Sequence, residues 1–176
     1  QMRSAYKIPD FMNGFPSLLR QAGYYTTNNV KTDYNSANFQ KIISASWDES
    51  SPKADWRGRK KEQPFFSVIN LMTTHQSRTM VWPYDKFQKE IQSKLSKSEL
   101  SDPQEVKLPP YYPDTPVIRK TVARFYDCVT LMDKEVQGIL KTLKDDGECV
   151  DTKFYTCDAD PVEIGKSKPY FSSHPD

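Results

Sequence analysis

Two side chains in this sequence stand where an oxyanion could be held. Lys31 follows a strand-type stretch at residues 24–27, and His75 closes the most apolar run of the chain, residues 65–72. A lysine supplies a compact positive charge for anionic oxygens, and a histidine can donate a hydrogen bond or a proton to the oxygen of a departing group. In open parallel sheets the ligand site lies beyond the carboxyl ends of the strands, because loops and helix N-termini gather there. If the two runs are parallel strands of one sheet, the ammonium and the imidazole are expected at the same edge. The plain readings of the same residues are a solvated lysine and a satisfied structural histidine.

Other candidates are weaker. Arg57, Arg59, Lys60 and Lys61 form a basic run that could touch an anionic polysaccharide, although a solvated loop is the commoner explanation of such a run. Trp47, Trp56 and Trp82 could stack on sugar rings, while anchoring loops is the commoner work of such residues. The adjacent acids Asp48 and Glu49, and Asp145 and Asp146, lie in polar sequence and read as solvated, so no metal ligand is assigned. His174 has no element to position it. No phosphate-cradling glycine loop, serine nucleophile elbow or zinc spacing occurs.

The elements that must position Lys31 and His75 are legible in outline. Residues 9–23 read as a short helix, with Phe15, Leu18 and Leu19 at helical spacing, Pro16 in the first turn and Gly23 at the stop. Residues 24–27 are aromatic or β-branched and run into a polar loop at 28–33. Residues 44–63 suit a loop or broken helix pinned by Trp47 and Trp56. Residues 65–72 read as a buried strand of a parallel sheet. A polar excursion from 76 to 114 holds one helix at 84–97 and ends in the proline-rich stretch 108–113, a loop of the kind that borders sites. The clearest helix spans 116–143, its apolar stripe at three-and-four spacing, capped by Asp114 or Thr115 and ended by Gly147. The alternation predicts an α/β domain with a mainly parallel sheet. After residue 147 the pattern stops.

Composition narrows the partners. The 176 residues suffice for one domain with a core, and 36% hydrophobic with 27% charged residues is globular on the polar side. A formal charge of +2, from 25 basic and 23 acidic residues, gives no sign of a nucleic-acid or membrane-surface partner. No apolar run approaches bilayer length. The three cysteines, Cys128, Cys149 and Cys157, fit neither a closed disulfide framework nor a four-ligand zinc site, which leaves a single Cys149–Cys157 bridge open.

Three stretches carry a resemblance to the sulfatases of the alkaline-phosphatase-like superfamily, in particular bacterial sulfatases similar to heparan N-sulfatase. The first is Phe-Pro-Ser-Leu-Leu-Arg-Gln-Ala-Gly-Tyr-Tyr-Thr-Thr-Asn-Asn-Val-Lys, ending at Lys31; the second is Pro-Phe-Phe-Ser-Val-Ile-Asn-Leu-Met-Thr-Thr-His, ending at His75. The third runs from Leu-Pro-Pro-Tyr-Tyr-Pro-Asp at 108–114 through Tyr126, Asp133 and Gly147. Their order and spacing resemble a helix, turn and strand leading to a pocket lysine, a strand delivering a sulfate-binding histidine, and the proline loop with the long helix behind it.

The resemblance implies a partial α/β/α sandwich over residues 1–147, with 148–176 as a tail lacking the family pattern. It implies a sulfuric ester or sulfamate hydrolase acting on a sulfated small molecule or glycan. Lys31 and His75 would be catalytic and substrate-binding, with Asp33 lying where the family often has a histidine. Calcium would serve the complete parent, as would a formylglycine made in a Cys-or-Ser-x-Pro-x-Arg motif. No such motif occurs here. The family places it upstream of Gln1, and places a calcium pair after the long helix, where this chain reads Glu-Cys-Val-Asp-Thr-Lys. The chain alone is therefore expected to be an inactive part of the enzyme, and the parent to work in a periplasmic, extracellular or lysosome-like compartment. A related phosphodiesterase or phosphonate hydrolase, or a non-catalytic binder of sulfated glycans, would use the same lysine and histidine.

Overall fold

Proline fixes the start of the first helix and glycine its end. Helix α1 (Pro16–Gln21) has Pro16 in its first turn, where a missing N–H costs nothing, and is followed by Gly23 at φ +95°, a conformation that favours glycine. A computed structural model describes residues 5–148 and 151–155. The chain divides between Met72 and Thr73 into two units. The possible Cys149–Cys157 bridge and His174 lie outside the described residues, as does most of the tail from 148 to 176.

The first unit is built on a three-stranded parallel sheet. Strand β1 (Tyr25–Asn29) lies in the middle, between β2 (Glu49–Ser50) and β3 (Phe65–Ile69). Tyr25 is in register with Phe65 and Asn29 with Ile69, so β1 and β3 end together. The expected α/β class with a parallel sheet is what the chain forms.

Two strand boundaries differ from expectation. Strand β1 extends to Asn29, so Asn28 and Asn29 are sheet residues and not loop. The apolar run at 65–72 is half-buried along β3 and leaves the sheet after Ile69, so it is not the fully buried strand its composition predicts. The buried strand is the polar one: Thr26, Thr27 and Asn28 are all at most 1% exposed.

Successive side chains of a strand point to opposite faces, and the aromatic contacts of β3 follow this rule. Phe66 meets Phe15 edge-on at 5.3 Å and stacks with Trp47 at 6.1 Å, which marks the face carrying α1 and α2 (Phe39–Ser46). Phe65 stacks with Trp56 at 6.0 Å on the other face, where a short 3₁₀ turn (Trp56–Gly58) lies. That turn comes so close that a Cβ on Gly58 would fall on the Tyr25 ring and hydroxyl, so any larger residue there would have to displace the Tyr25 side chain. Trp47 and Trp56 are buried and pin the segment between them, as expected. Helix α2 was not foreseen. Asn38 precedes it without capping it, because its amide oxygen accepts from the Ile8 N–H at 3.2 Å and the Ser36 hydroxyl at 2.6 Å.

The second unit is dominated by α5 (Pro116–Asp145). Its predicted ends hold: the Thr115 hydroxyl accepts from the Ile118 N–H at 3.3 Å, and Gly147 adopts φ +77° just beyond the end. Before it come α3 (Ser77–Met80) and α4 (Tyr84–Glu90), with a 3₁₀ turn (Gln92–Lys94) where the expected helix at 84–97 breaks. The break buries Ile91 and Leu95 together with Phe87, Cys128 and Leu131 in one apolar cluster. No helix among the described residues is long and apolar enough to cross a membrane.

Candidate functional site

The carboxyl edge of the sheet is an amide network. Asn70 follows β3, and its N–H donates to the Asn29 carbonyl at 2.7 Å, continuing the ladder past the last register pair. Its side-chain nitrogen donates to Asn28 Oδ1 at 3.1 Å and to the Asn29 carbonyl at 2.9 Å. Asn28 Nδ2 in turn donates to Ser50 Oγ at 3.2 Å and to the Lys31 carbonyl at 3.1 Å. The buried amide of Asn28 therefore ties β2, β3 and the turn carrying Lys31 to one point, with its hydrogen-bonding capacity met as burial requires. The Asn29–Val30 peptide within that turn is cis.

Lys31 is held at its backbone while its side chain stays available. Beyond it the Tyr34 hydroxyl accepts from the Trp47 indole N–H at 2.6 Å, which clamps the far side of the turn to the end of α2. The structure brings Lys31 and Asp33 together: Nζ lies 3.6 Å from Oδ2, with the two side chains 39% and 81% exposed. An ion pair so open to water contributes at most about 1 kcal/mol and is readily exchanged for another anion.

His75 belongs to the second unit. The two residues before it are tied to α5, Thr73 Oγ1 donating to Glu135 Oε2 at 2.6 Å and Thr74 Oγ1 meeting Met132 Sδ at 3.6 Å. The imidazole is exposed, and its Nδ1 faces Ser77, 2.8 Å from Oγ and 3.3 Å from the backbone nitrogen. Ser77 thereby occupies Nδ1 whichever tautomer the ring adopts, and Nε2 is left without a hydrogen-bond partner among the described residues. Nothing in the sequence spacing pointed to Ser77, nor to Asn28 and Glu135 as holders of the two segments. The only trace was the hydroxyl pair Thr73-Thr74 just before the histidine.

The remaining candidates resolve into structural roles. Asp48 is not merely solvated: its carboxylate takes the Arg20 Nε–H at 2.8 Å and the Thr26 N–H at 2.9 Å. Asp145 pairs with Lys141 along α5. In the basic run Arg57 is bound to Asp55, and Arg59 lies over the Phe65 ring at 5.1 Å. Trp82 packs against the apolar cluster of the second unit. Among the described residues no group of three or more His, Cys, Asp or Glu side chains is placed to hold a metal ion. Asp127, the buried acid of α5, is occupied by Gln92 Nε2 and the Ser101 N–H, both at 2.8 Å. These side chains do not fit a calcium site.

Residues 4–158 match the family model of the sulfatases. Among curated proteins, the chain is similar to the ulvan-active sulfatase of Formosa agariphila, at 37% identity over 155 residues. That alignment covers 73% of this chain and 25% of the relative, so the chain spans about a quarter of that protein's length. No solved structure matches significantly.

Proposed function

Because the chain belongs to the sulfatase family, we propose that it supplies the oxyanion-holding part of a sulfuric ester hydrolase whose substrate is a sulfated glycan. Lys31 pairs with the sulfate oxygens, releasing Asp33 as the anion arrives. Nε2 of His75 binds a sulfate oxygen or hands its proton to the leaving oxygen, while Ser77 fixes the other ring nitrogen. The attacking group and any calcium come from sequence outside these residues, and no step here depends on either. The glycan reading draws on the name of the Formosa relative, which acts on ulvan. A sulfatase of extracellular glycans would work outside the cytoplasm, in keeping with the compartment expected from the resemblance.

The observation that supports this reading most is the shared end of two parallel strands. Asn29 and Ile69 are in register and Asn70 bridges back to Asn29, so the segments leading to Lys31 and towards His75 leave from one edge of one sheet. An isotope-labelled sample titrated with ulvan oligosaccharides and with their desulfated counterparts tests it. Resonances of Lys31 and of the His75 ring should shift with the sulfated form alone, and the response should vanish in the Lys31→Ala, His75→Ala double variant. Equal shifts with both forms would refute the assignment. In the complete polypeptide, His75→Ala should lower the rate of sulfate release by about a hundredfold or more, the usual cost of removing one preorganised donor from an oxyanion.

A further inference from the structure

The second unit carries three cations gathered on aromatic rings a short way along the chain from His75. Arg78, whose N–H donates to the His75 carbonyl at 2.9 Å, places its guanidinium 4.0 Å from the centre of the Trp82 ring. Lys86 reaches the same ring at 4.5 Å from α4. Arg124 comes from α5 and lies over Tyr84 at 4.5 Å and Phe87 at 5.2 Å. Trp82 and Phe87 belong to one packed cluster, so the three charges fringe a single aromatic surface.

Stacking fixes a guanidinium or ammonium by its face and leaves its N–H donors pointing elsewhere. Neither Lys86 nor Arg124 makes an ion pair or a hydrogen bond with any described residue, and the acids of α4, Asp85 and Glu90, pair with neither. Held cations with unused donors and no carboxylate partner are suited to an incoming anion, because much of the entropic cost of ordering them is met in the free protein. Arginine in particular offers a planar fork that matches sulfate or carboxylate oxygens.

We propose that Lys86 and Arg124 form a subsite for a second anionic group of a polyanionic glycan, a sulfate or carboxylate on a sugar neighbouring the one that His75 engages. The ligand's identity rests on the sulfated-glycan reading above; the cation cluster itself does not. Such a subsite would select polymeric, multiply charged substrates over single sulfate esters, since only the former can reach both places at once.

The discriminating experiment compares two probes on the full chain by calorimetric titration: ulvan oligosaccharides, which carry several anionic groups, and 4-nitrophenyl sulfate, which carries one. The Lys86→Gln, Arg124→Gln double variant should bind the oligosaccharides about 10- to 100-fold more weakly, the loss expected for two charge-assisted contacts, with affinity for 4-nitrophenyl sulfate unchanged. Lys86→Arg with Arg124→Lys keeps the charges and should retain most of the oligosaccharide affinity, and circular dichroism of each variant checks that the helices remain formed. Unchanged oligosaccharide affinity in the glutamine variant would overturn the subsite, as would an equal loss for both probes. Failure of the wild-type chain to bind 4-nitrophenyl sulfate would count against the Lys31 and His75 reading alone, because the oligosaccharide arm still reports on Lys86 and Arg124.

Discussion

The central strand of the first unit and the main cluster of the second are built of opposite materials. In the first, the central strand buries Thr26, Thr27 and Asn28, each hydrogen-bonded: Thr26 donates to the Ser46 carbonyl at 2.8 Å, Thr27 to Ser67 at 2.9 Å, and Asn28 bridges Ser50 and Asn70. In the second, Phe87, Ile91, Leu95, Cys128 and Leu131 form an apolar cluster against α5. Burial of hydrocarbon is non-directional and tolerates small shifts, whereas a buried hydroxyl or amide stabilises only in one register and costs free energy if its partner moves. The first unit has therefore given up some tolerance for a fixed sheet edge, and that edge is where the chain exits towards Lys31. The second secures a long helix, from which Glu135 and Met132 hold the segment before His75.

The sharpest test of this contrast is Phe87→Ala. The side chain is fully buried, and its removal should destabilise the second unit by about 3–5 kcal/mol, read as a lowered denaturant midpoint of the helical circular dichroism signal. A loss comparable to that of a surface substitution would mean the cluster does not hold α5. Next comes Ser67→Ala, which orphans the buried Thr27 hydroxyl and should cost about 1–3 kcal/mol. Adding Thr27→Val removes both partners and should recover most of that loss. A double variant as unstable as the sum of the singles would show that the pair contributes nothing to the sheet's polar interior.

Asp48→Ala severs the ties to Arg20 and the Thr26 N–H, yet Asp48 is open to water, so a loss of about 1 kcal/mol is expected. Asp48→Asn, which keeps an acceptor for Thr26, should lose less. The smallest effect near neutral pH concerns Cys128, whose thiol is pushed up to about 11 by burial and by the neighbouring Asp127 carboxylate. The folded state keeps this proton where an unfolded thiol, near 9.0, has begun to lose it. The resulting stabilisation is complete below that value and falls as pH rises between the two. Peptide-resolved alkylation at pH 9.0 should accordingly spare Cys128 in the folded protein and modify it in denaturant; equal labelling in both would refute its burial.

The apolar half of this contrast was the legible half. The length of α5, its Thr115 cap and its Gly147 stop follow from local spacing and chemistry and stand as read, but the stripe does not: Val117, Phe125, Tyr126 and Val129 are exposed, and the helix buries Ala123, Asp127, Cys128 and Leu131 instead. The polar half resisted, because asparagine is depleted in strands, and only Ser50 and Asn70, distant in sequence, make Asn28 a sheet residue. Helix α2 was missed for a related reason: Asn38 stands where a cap would, yet spends its side chain on Ile8 and Ser36. At the candidate site, residue type and strand-end position singled out Lys31 and His75, and the family resemblance added Asp33. The partners that orient them, Asn28 and Ser77, depend on turn geometry that no periodicity encodes.

Asparagine side chains age by closing onto the following backbone nitrogen, a reaction that needs the amide free to rotate. Asn28 would first have to break three hydrogen bonds, to Lys31, Ser50 and Asn70. Exposed Asn35, at φ +49° and with only a long 3.4 Å contact to the Ala5 N–H, has no comparable restraint. Chemical damage in a stored or long-lived sample should therefore begin at exposed asparagines, Asn13 first because glycine follows it and then Asn35, leaving the amide at the centre of the sheet edge intact for far longer.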